Sequence, residues 1–260
     1  MKKVERQERM ILEQLGRKKT LTLSEARALL DVSESTVRRL FIRLESSGAA
    51  VRRYGGIQLL HDSPMDEYQY EQVEGQAVFQ KRFIGRHAAT MVENGDVLYL
   101  DSGTTMACFC TALAARIAEG KLAGVTVFTN SLVNLEILGS YMTVNLVGGE
   151  YRPRRRDFCG YLAEEAVGGL HFTKCFLGTD GFHLRYGFTA TDFHTARLNE
   201  LAIANADRRY VLMDSAKFMA ASVVSYSKDQ TIDGVVTDRL PSETLIKRLT
   251  ELGTELILCS

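Results

Sequence analysis

Three short runs, "DVLYL", "VTVFT" and "TVNLV", are rich in apolar and β-branched residues and lack the strict alternation of a strand with one wet face. Segments with helical spacing separate them. Strands covered on both faces and joined by helices are the components of a mostly parallel sheet, because a parallel pair needs a long crossover and a helix supplies it. The spacing predicts a helix around 76–93, a strand at 96–100, a helix at 104–118, a strand at 124–129, a helix at 131–139 and a strand at 142–147. Further strands are expected near 174–178, 209–213 and 233–237, with a helix near 192–206 and a closing helix and strand within 243–259. The fold class expected is therefore α/β, with a larger C-terminal domain over 75–260.

Ligands of such sheets bind beyond the carboxyl ends of the strands. Five small or polar loops fall there: Asp101-Ser102-Gly103-Thr104-Thr105, Thr129-Asn130-Ser131, Gly148-Gly149-Glu150, Gly178-Thr179-Asp180-Gly181 and Asp214-Ser215-Ala216-Lys217. The first is the most informative, since Gly103 lets backbone approach closely, the hydroxyls of Ser102, Thr104 and Thr105 surround it, and the amides at a helix N-terminus attract an anion. Lys217 offers an opposing charge. The run "RPRRRD", 152–157, reads as a solvated loop, with the mouth of a pocket or DNA as its other destinations.

The formal charge is zero only by cancellation. Residues 1–60 carry 13 Lys and Arg against 7 Asp and Glu, and the rest 19 against 25. A basic module on an acidic body is the asymmetry of a nucleic-acid binder joined to another function. Within the first sixty residues, an amphipathic helix stops at Gly16 and Thr22-Leu23-Ser24-Glu25 forms a capping box. A short helix then reaches Asp31 and Ser33 caps a third, whose buried stripe is Val37, Leu40, Phe41 and Leu44. This is a helix-turn-helix over about 20–39, followed by a basic hairpin with a Gly-Gly turn, a wing. Ser35, Thr36, Arg38, Arg39 and Arg43 on the third helix, and Arg52, Arg53 and Tyr54 on the wing, are the DNA-binding candidates. An acidic linker over 61–74 closes the domain of residues 1–60.

Cys108, Cys110, Cys159, Cys175 and Cys259 are odd in number and sit mostly in apolar segments, so reduced core thiols are expected. No CxxC or HxxxH spacing occurs, and neither a metal nor a cofactor is expected. No apolar run approaches the roughly 18 residues of a membrane span, and charges break the apolar residues of the N-terminal stretch, so a cytoplasmic protein without membrane contact is the expectation.

"VSESTVRRLFIRLESSGAAVRRYGG" resembles the N-terminal signature of DeoR-type transcriptional regulators, close to V-S-x-x-T-I-R-R-D-L-x-x-L-E-x-x-G-x-x-x-R-x-x-G-G. Val32, Ser33, Thr36, Arg38, Arg39, Leu44, Glu45, Gly48, Arg52 or Arg53, Gly55 and Gly56 fall on it, while Leu40 replaces the usual acid after the Arg pair. "LDSGTT", "TNS", "VGGEYR", "FLGTDGF", "GFTATD" and "DSAKF" are similar to the sensor domain of the same family, so the resemblance spans roughly residues 5–258. It implies a transcriptional regulator whose effector is a phosphorylated sugar or a related metabolite. With the charge asymmetry and the phosphate-ready loop, the expectation is a repressor of a carbohydrate-utilisation operon, a dimer or tetramer on double-stranded operator DNA relieved by that sugar, with activation as the other direction. The resemblance further implies a fold shared with ribose-phosphate isomerases, with Ser102 to Thr105 on the phosphate and Asp101, Asn130, Asp180 and Lys217 towards the sugar; Gly148 and Gly149, from the sheet-edge loops, complete the expected effector set. The rival expectation is an isomerase-like enzyme with an appended DNA-binding domain. Those enzymes usually continue their Asp-Gly with Ala-Asp-Glu, where this chain has Phe182, His183 and Leu184, and their Lys-Gly-Gly-Gly element is missing near Gly187-Phe188-Thr189. No catalytic residue is therefore assigned.

Overall fold

A computed structural model describes residues 3–18, 20–46, 50–53, 55–59, 69–227 and 231–259. The chain divides into two compact units, Met1–Glu67 and Tyr68–Ser260.

In the first unit, α1 (Lys3–Lys18), β1 (Thr20–Thr22), α2 (Leu23–Leu30), α3 (Glu34–Ser46), β2 (Ala50–Arg53) and β3 (Gly56–Leu59) follow in order. The capping box is complete: the Thr22 hydroxyl accepts from the Glu25 amide at 3.2 Å, and the Glu25 carboxylate accepts from the Thr22 amide at 2.9 Å. Asp31 turns the chain in the left-handed region at φ +48°. Ser33 then caps α3, accepting from the Thr36 amide at 3.4 Å, with the Ser35 and Thr36 hydroxyls each 2.9 Å from its own. The stripe Val37, Leu40, Phe41 and Leu44 packs with Ile11, Leu15, Leu21, Ala26 and Ile57 into one apolar core. Leu40 is buried there, so the acid-to-leucine departure acts on packing and not on a DNA-facing surface. β1 joins the expected hairpin in an antiparallel sheet of order β1-β3-β2. Where β3 runs beside β1, a Cβ on Gly56 would stand 2.5 Å from the Leu21 carbonyl, which requires glycine. Tyr54 and the expected helix stop at Gly48 lie outside the described residues.

The expected linker is shorter at its far end, because Tyr70–Glu74 forms a helix, α4, whose Tyr70 packs with Ala107 and Val133. The second unit continues with α5 (Val78–Thr90), β4 (Val97–Leu100), α6 (Thr104–Ala118), β5 (Thr126–Thr129), α7 (Leu132–Leu138) and β6 (Val144–Leu146). Next come β7 (Glu150–Arg152), β8 (Asp157–Cys159), α8 (Tyr161–Gly168), β9 (Phe172–Gly178), β10 (Gly181–His183), β11 (Gly187–Ala190) and α9 (Phe193–Ala204). β12 (Ala206–Leu212), a 3-10 turn at Ser215–Lys217, β13 (Val224–Ser225), β14 (Gly234–Thr237), α10 (Glu243–Glu251) and β15 (Glu255–Leu258) complete it.

Seven strands form one parallel sheet in the order β15-β14-β12-β9-β4-β5-β6. Alternate residues enter opposite layers, as strand geometry requires. Tyr99, Cys175, Leu177 and Val211 join one apolar cluster, and Leu98, Leu100, Phe176 and Leu212 the other. All five cysteines are free thiols and four are buried within these layers. The β7-β8 hairpin, α8 and the small sheet β10-β11-β13 were not expected; strands of two to four residues carry too few side chains to show a period.

The strand order locates the ligand crevice. The chain lays β5 and β6 outward from β4, then returns to place β9 on the other side of β4 and builds β12, β14 and β15 away from it. The boundary between β4 and β9 is thus the topological switch point, where the loops leaving the two strands part and open a crevice.

Candidate functional site

The loops beyond β4 and β9 line a cleft with Val73, Asp101 to Met106, Arg155, Gly178 to Asp180, Ala190, Thr195 and Lys217. Gly103, at φ +117° and ψ 168°, adopts a conformation nearly confined to glycine and precedes α6 without a side chain to cap it. The first-turn amides of Thr104, Thr105 and Met106 therefore remain for whatever occupies the cleft. Lys217 reaches the same space from the turn after β12, and its Nζ donates to the Thr179 carbonyl at 2.6 Å. A second ammonium, Lys81, is buried close by and donates to the Val73 carbonyl at 2.8 Å. Burial first, and Lys217 second, hold its pKa below the ordinary lysine value.

Asp101 joins the two strands of the switch point. Its carboxylate accepts from the Ser102 amide at 2.6 Å and from the Gly178 amide at 3.0 Å, so its oxygens face backbone as well as the cleft. Burial pushes its pKa up to about 7, against the opposing pull of those two amides and of Arg155. Asn134, which the sequence did not single out, holds the same corner, donating to the Asp101 carbonyl at 2.8 Å and the Thr129 hydroxyl at 3.0 Å. Asp180 accepts from both the amide and the hydroxyl of Thr191.

The run 152–157 is solvated only at Pro153 and Arg154, and its other residues turn inward. Arg152 donates to Asp157 and to Asp192, each at 2.7 Å, and Arg155 pairs with the same two carboxylates at 3.5 and 3.3 Å. The Ser102 hydroxyl donates to Asp157 at 2.9 Å, tying this network to the glycine loop. Burial pushes the Asp192 carboxyl up, but Arg155, Arg152 and the bonds from Thr195 together hold it below the usual carboxylate value. Two arginines and two aspartates thus form a compensated buried cluster, with Arg155 at the edge of the cleft.

Of the expected effector residues, Asp101, Ser102, Gly103, Thr104, Thr105, Asp180 and Lys217 meet in this cleft. Asn130, Gly148 and Gly149 do not line it. They follow β5 and β6, one and two strands away from the switch point, and Asn130 instead donates to the Phe158 carbonyl at 3.0 Å.

On the helix-turn-helix, Ser35, Arg38, Arg39 and Ile42 are exposed along one side of α3. Arg39 touches the Ser35 carbonyl at 3.4 Å, while Arg38 pairs with Glu34 at 2.7 Å. Arg43 pairs with Glu8 of α1 at 2.7 Å, and Arg52 with Glu45 at 2.6 Å. The Glu45 carboxylate also accepts from the Arg52 amide, so it pins the wing to α3. Arg53 is the last residue of β2, and Tyr54 lies outside the described residues.

A winged helix-turn-helix joined in one chain to a parallel-sheet unit with an anion-suited crevice defines a ligand-responsive DNA-binding regulator. Residues 6–63 match the DeoR-like helix-turn-helix domain and residues 76–239 the DeoR C-terminal sensor domain. The chain belongs to the DeoR family of transcriptional regulators. It is 30% identical to the HTH-type transcriptional regulator FruR of Bacillus subtilis over 92% of this chain and 95% of that protein. It is 29% identical to the lactose phosphotransferase system repressor of Streptococcus mutans over 95% of this chain and 96% of that one. Among solved structures, ribose 5-phosphate isomerase A of Methanocaldococcus jannaschii aligns with a TM-score of 0.40 and 20% identity over 53% of each chain. Among the described residues, no helix is long and apolar enough to cross a membrane.

Proposed function

We propose that this protein represses a carbohydrate-utilisation operon in the cytoplasm, as a homo-oligomer, and leaves its operator when a phosphorylated sugar enters the β4–β9 crevice. One observation carries this reading: the uncapped N-terminus of α6, Lys217 and Arg155 converge on one cleft in a chain that also carries a recognition helix. An anion there gains amide donors from the helix and two cationic partners. Asp180, Thr179 and Thr195 offer polar groups suited to sugar hydroxyls. The lactose phosphotransferase system repressor of Streptococcus mutans aligns over 95% of the chain, which supports a carbohydrate operon as target.

In the DNA-binding unit, the exposed side of α3 supplies Ser35, Arg38 and Arg39 for base edges and phosphates, with Thr36 beside them. Ile42, one turn beyond Arg38, adds an apolar group of the kind that meets a thymine methyl. Two copies of this helix on repeated half-sites require an oligomer. An effector preference of about 1.4 kcal/mol for the non-binding state lowers occupancy tenfold.

The isomerase reading has less support. After Asp180-Gly181 the chain carries His183 and Leu184 where those enzymes have their acidic pair, so no second acid follows to stand beside the reacting carbon. Thermal shift of the full chain against phosphorylated and free sugars tests the assignment. Selective stabilisation by phosphorylated sugars is expected; equal stabilisation by free sugars, or turnover of any phosphosugar, overturns it.

A further inference from the structure

One residue of the cleft comes from an element that stands before the first long helix of the sensor unit. Val73 belongs to α4, a helix of five residues whose N-cap, Gln69, makes no side-chain capping bond. Such a helix does not hold itself, since its length is far below what helix propagation needs. It is held from outside. The Tyr70 amide donates to the Arg154 carbonyl at 2.9 Å. The Tyr70 ring is buried beside Ala107 and Val133, with the Arg156 guanidinium 5.9 Å from its centroid. The Val73 carbonyl accepts from Lys81.

Two of these three holds come from the turn between β7 and β8, and the residue between them lines the cleft. Arg155 pairs with Asp157 and Asp192 at 3.5 and 3.3 Å, looser than the 2.7 Å contacts that Arg152 makes with the same acids. If Arg155 turns towards another anion, Arg152 still contacts both carboxylates, and the cluster is left with one net negative charge that opposes the movement. Arg156 sits in the left-handed region at φ +56°, costly for a residue with a side chain, and is kept there by the bond from the Leu132 amide to its carbonyl at 2.9 Å and its ion pair with Glu136 at 2.7 Å. The turn is closed by its own backbone, the Arg155 and Arg156 amides donating to the Arg152 carbonyl at 3.1 and 2.8 Å, so with its strain and outside ties it is suited to moving between two arrangements as a unit.

We infer that Arg155 is an anion contact of the effector, and that the Arg154–Arg156 turn passes its movement to α4 through the Arg154 carbonyl and the Arg156 guanidinium. This rests on the effector reading of the cleft. α4 is the first described element of its unit, and the chain runs from its N-terminus towards the helix-turn-helix. A shift of Tyr70 therefore acts on the covalent connection between sensing and DNA binding.

Hydrogen exchange read by mass spectrometry on the full chain tests it, with inorganic phosphate as probe against chloride at equal ionic strength. Phosphate is expected to slow exchange at 103–107 and to change exchange at 70–75 and 153–157 in the same titration. Arg155→Met is expected to weaken phosphate binding about tenfold or more, the loss of one charge-assisted hydrogen bond. Arg156→Gln, at a partly exposed position, is expected to keep protection at 103–107 and lose the response at 70–75. Protection of 103–107 in the wild type without any change at 70–75 overturns the coupling alone. An unchanged response in both variants overturns the Arg155 contact and the coupling together. Phosphate that protects neither segment removes the effector reading and this inference with it.

Discussion

The hydroxyl of Ser102 donates to Asp157 at 2.9 Å, joining the glycine loop after β4 to the arginine turn 55 residues later. Asp157 also takes Arg152 through both carboxylate oxygens, at 2.7 and 2.8 Å. Replacing it by Asn leaves two buried guanidiniums sharing the single charge of Asp192. We expect Asp157→Asn to destabilise the sensor unit by about 3–5 kcal/mol, as loss of one partner from a buried ion cluster does. Urea denaturation measures this, and a loss below about 1 kcal/mol, the value of an exposed pair, would show that water reaches the cluster.

Gly103 gives the glycine loop its shape. At φ +117° and ψ 168°, a Cβ is strained whatever space surrounds it. Gly103→Ala should cost about 1–3 kcal/mol in stability and displace the first-turn amides of α6, weakening effector binding more than operator binding. Calorimetric titration of both ligands separates the two effects; an equal loss in both would place the damage in the overall fold.

On α3, acidic partners divide the arginines. Arg43 is tied to Glu8, whereas Arg39 contacts only a carbonyl among the bonds described for it. Arg39→Ala should weaken operator binding more than Arg43→Ala and, if it contacts a phosphate, reduce the log–log salt slope by about 0.9. Fluorescence anisotropy over a salt series reads both quantities. A larger loss from Arg43→Ala would reverse the assignment of faces.

Asp101 gives the sensor unit a pH signature. Its folded pKa near 7 lies above the ordinary carboxylate value, so the folded state holds the proton more tightly than the unfolded state does. The resulting stabilisation is fully present below about pH 4 and is lost, at up to about 1.4 kcal/mol per pH unit, as pH rises towards 7. Asp101→Asn removes that slope. The stability of the wild type minus that of the variant should fall between about pH 4 and 7 and level off above; a difference that grows with pH contradicts the burial of this carboxyl.

What the sequence made legible was local. The Thr22–Glu25 capping box, the Val37 to Leu44 stripe and the Asp101 to Thr105 loop each lie within a few residues, and each folds as its spacing requires. Asn130, Gly148 and Gly149 looked equivalent to the other loops because each follows a strand; only the strand order, with β9 returning beside β4, separates them from the crevice. Arg155 was obscured for a related reason. Its run of arginines has the composition of a wet loop, and its acidic partner Asp192 arrives from the start of α9. Arg43 and Arg52 take their assignment from their places on the third helix and the wing, which do not reveal the carboxylates of Glu8 and Glu45 beside them.

Operator release by a sugar phosphate, compared with the same sugar unphosphorylated, tests the central claim most directly. The chain should be titrated on an operator fragment selected from genomic DNA by binding to it, with anisotropy as readout. Two charge-assisted contacts at the phosphate, from Lys217 and Arg155, are together worth about 3 kcal/mol, so the phosphorylated form should release the operator at a concentration about a hundredfold lower. Release by both forms at the same concentration would contradict the account.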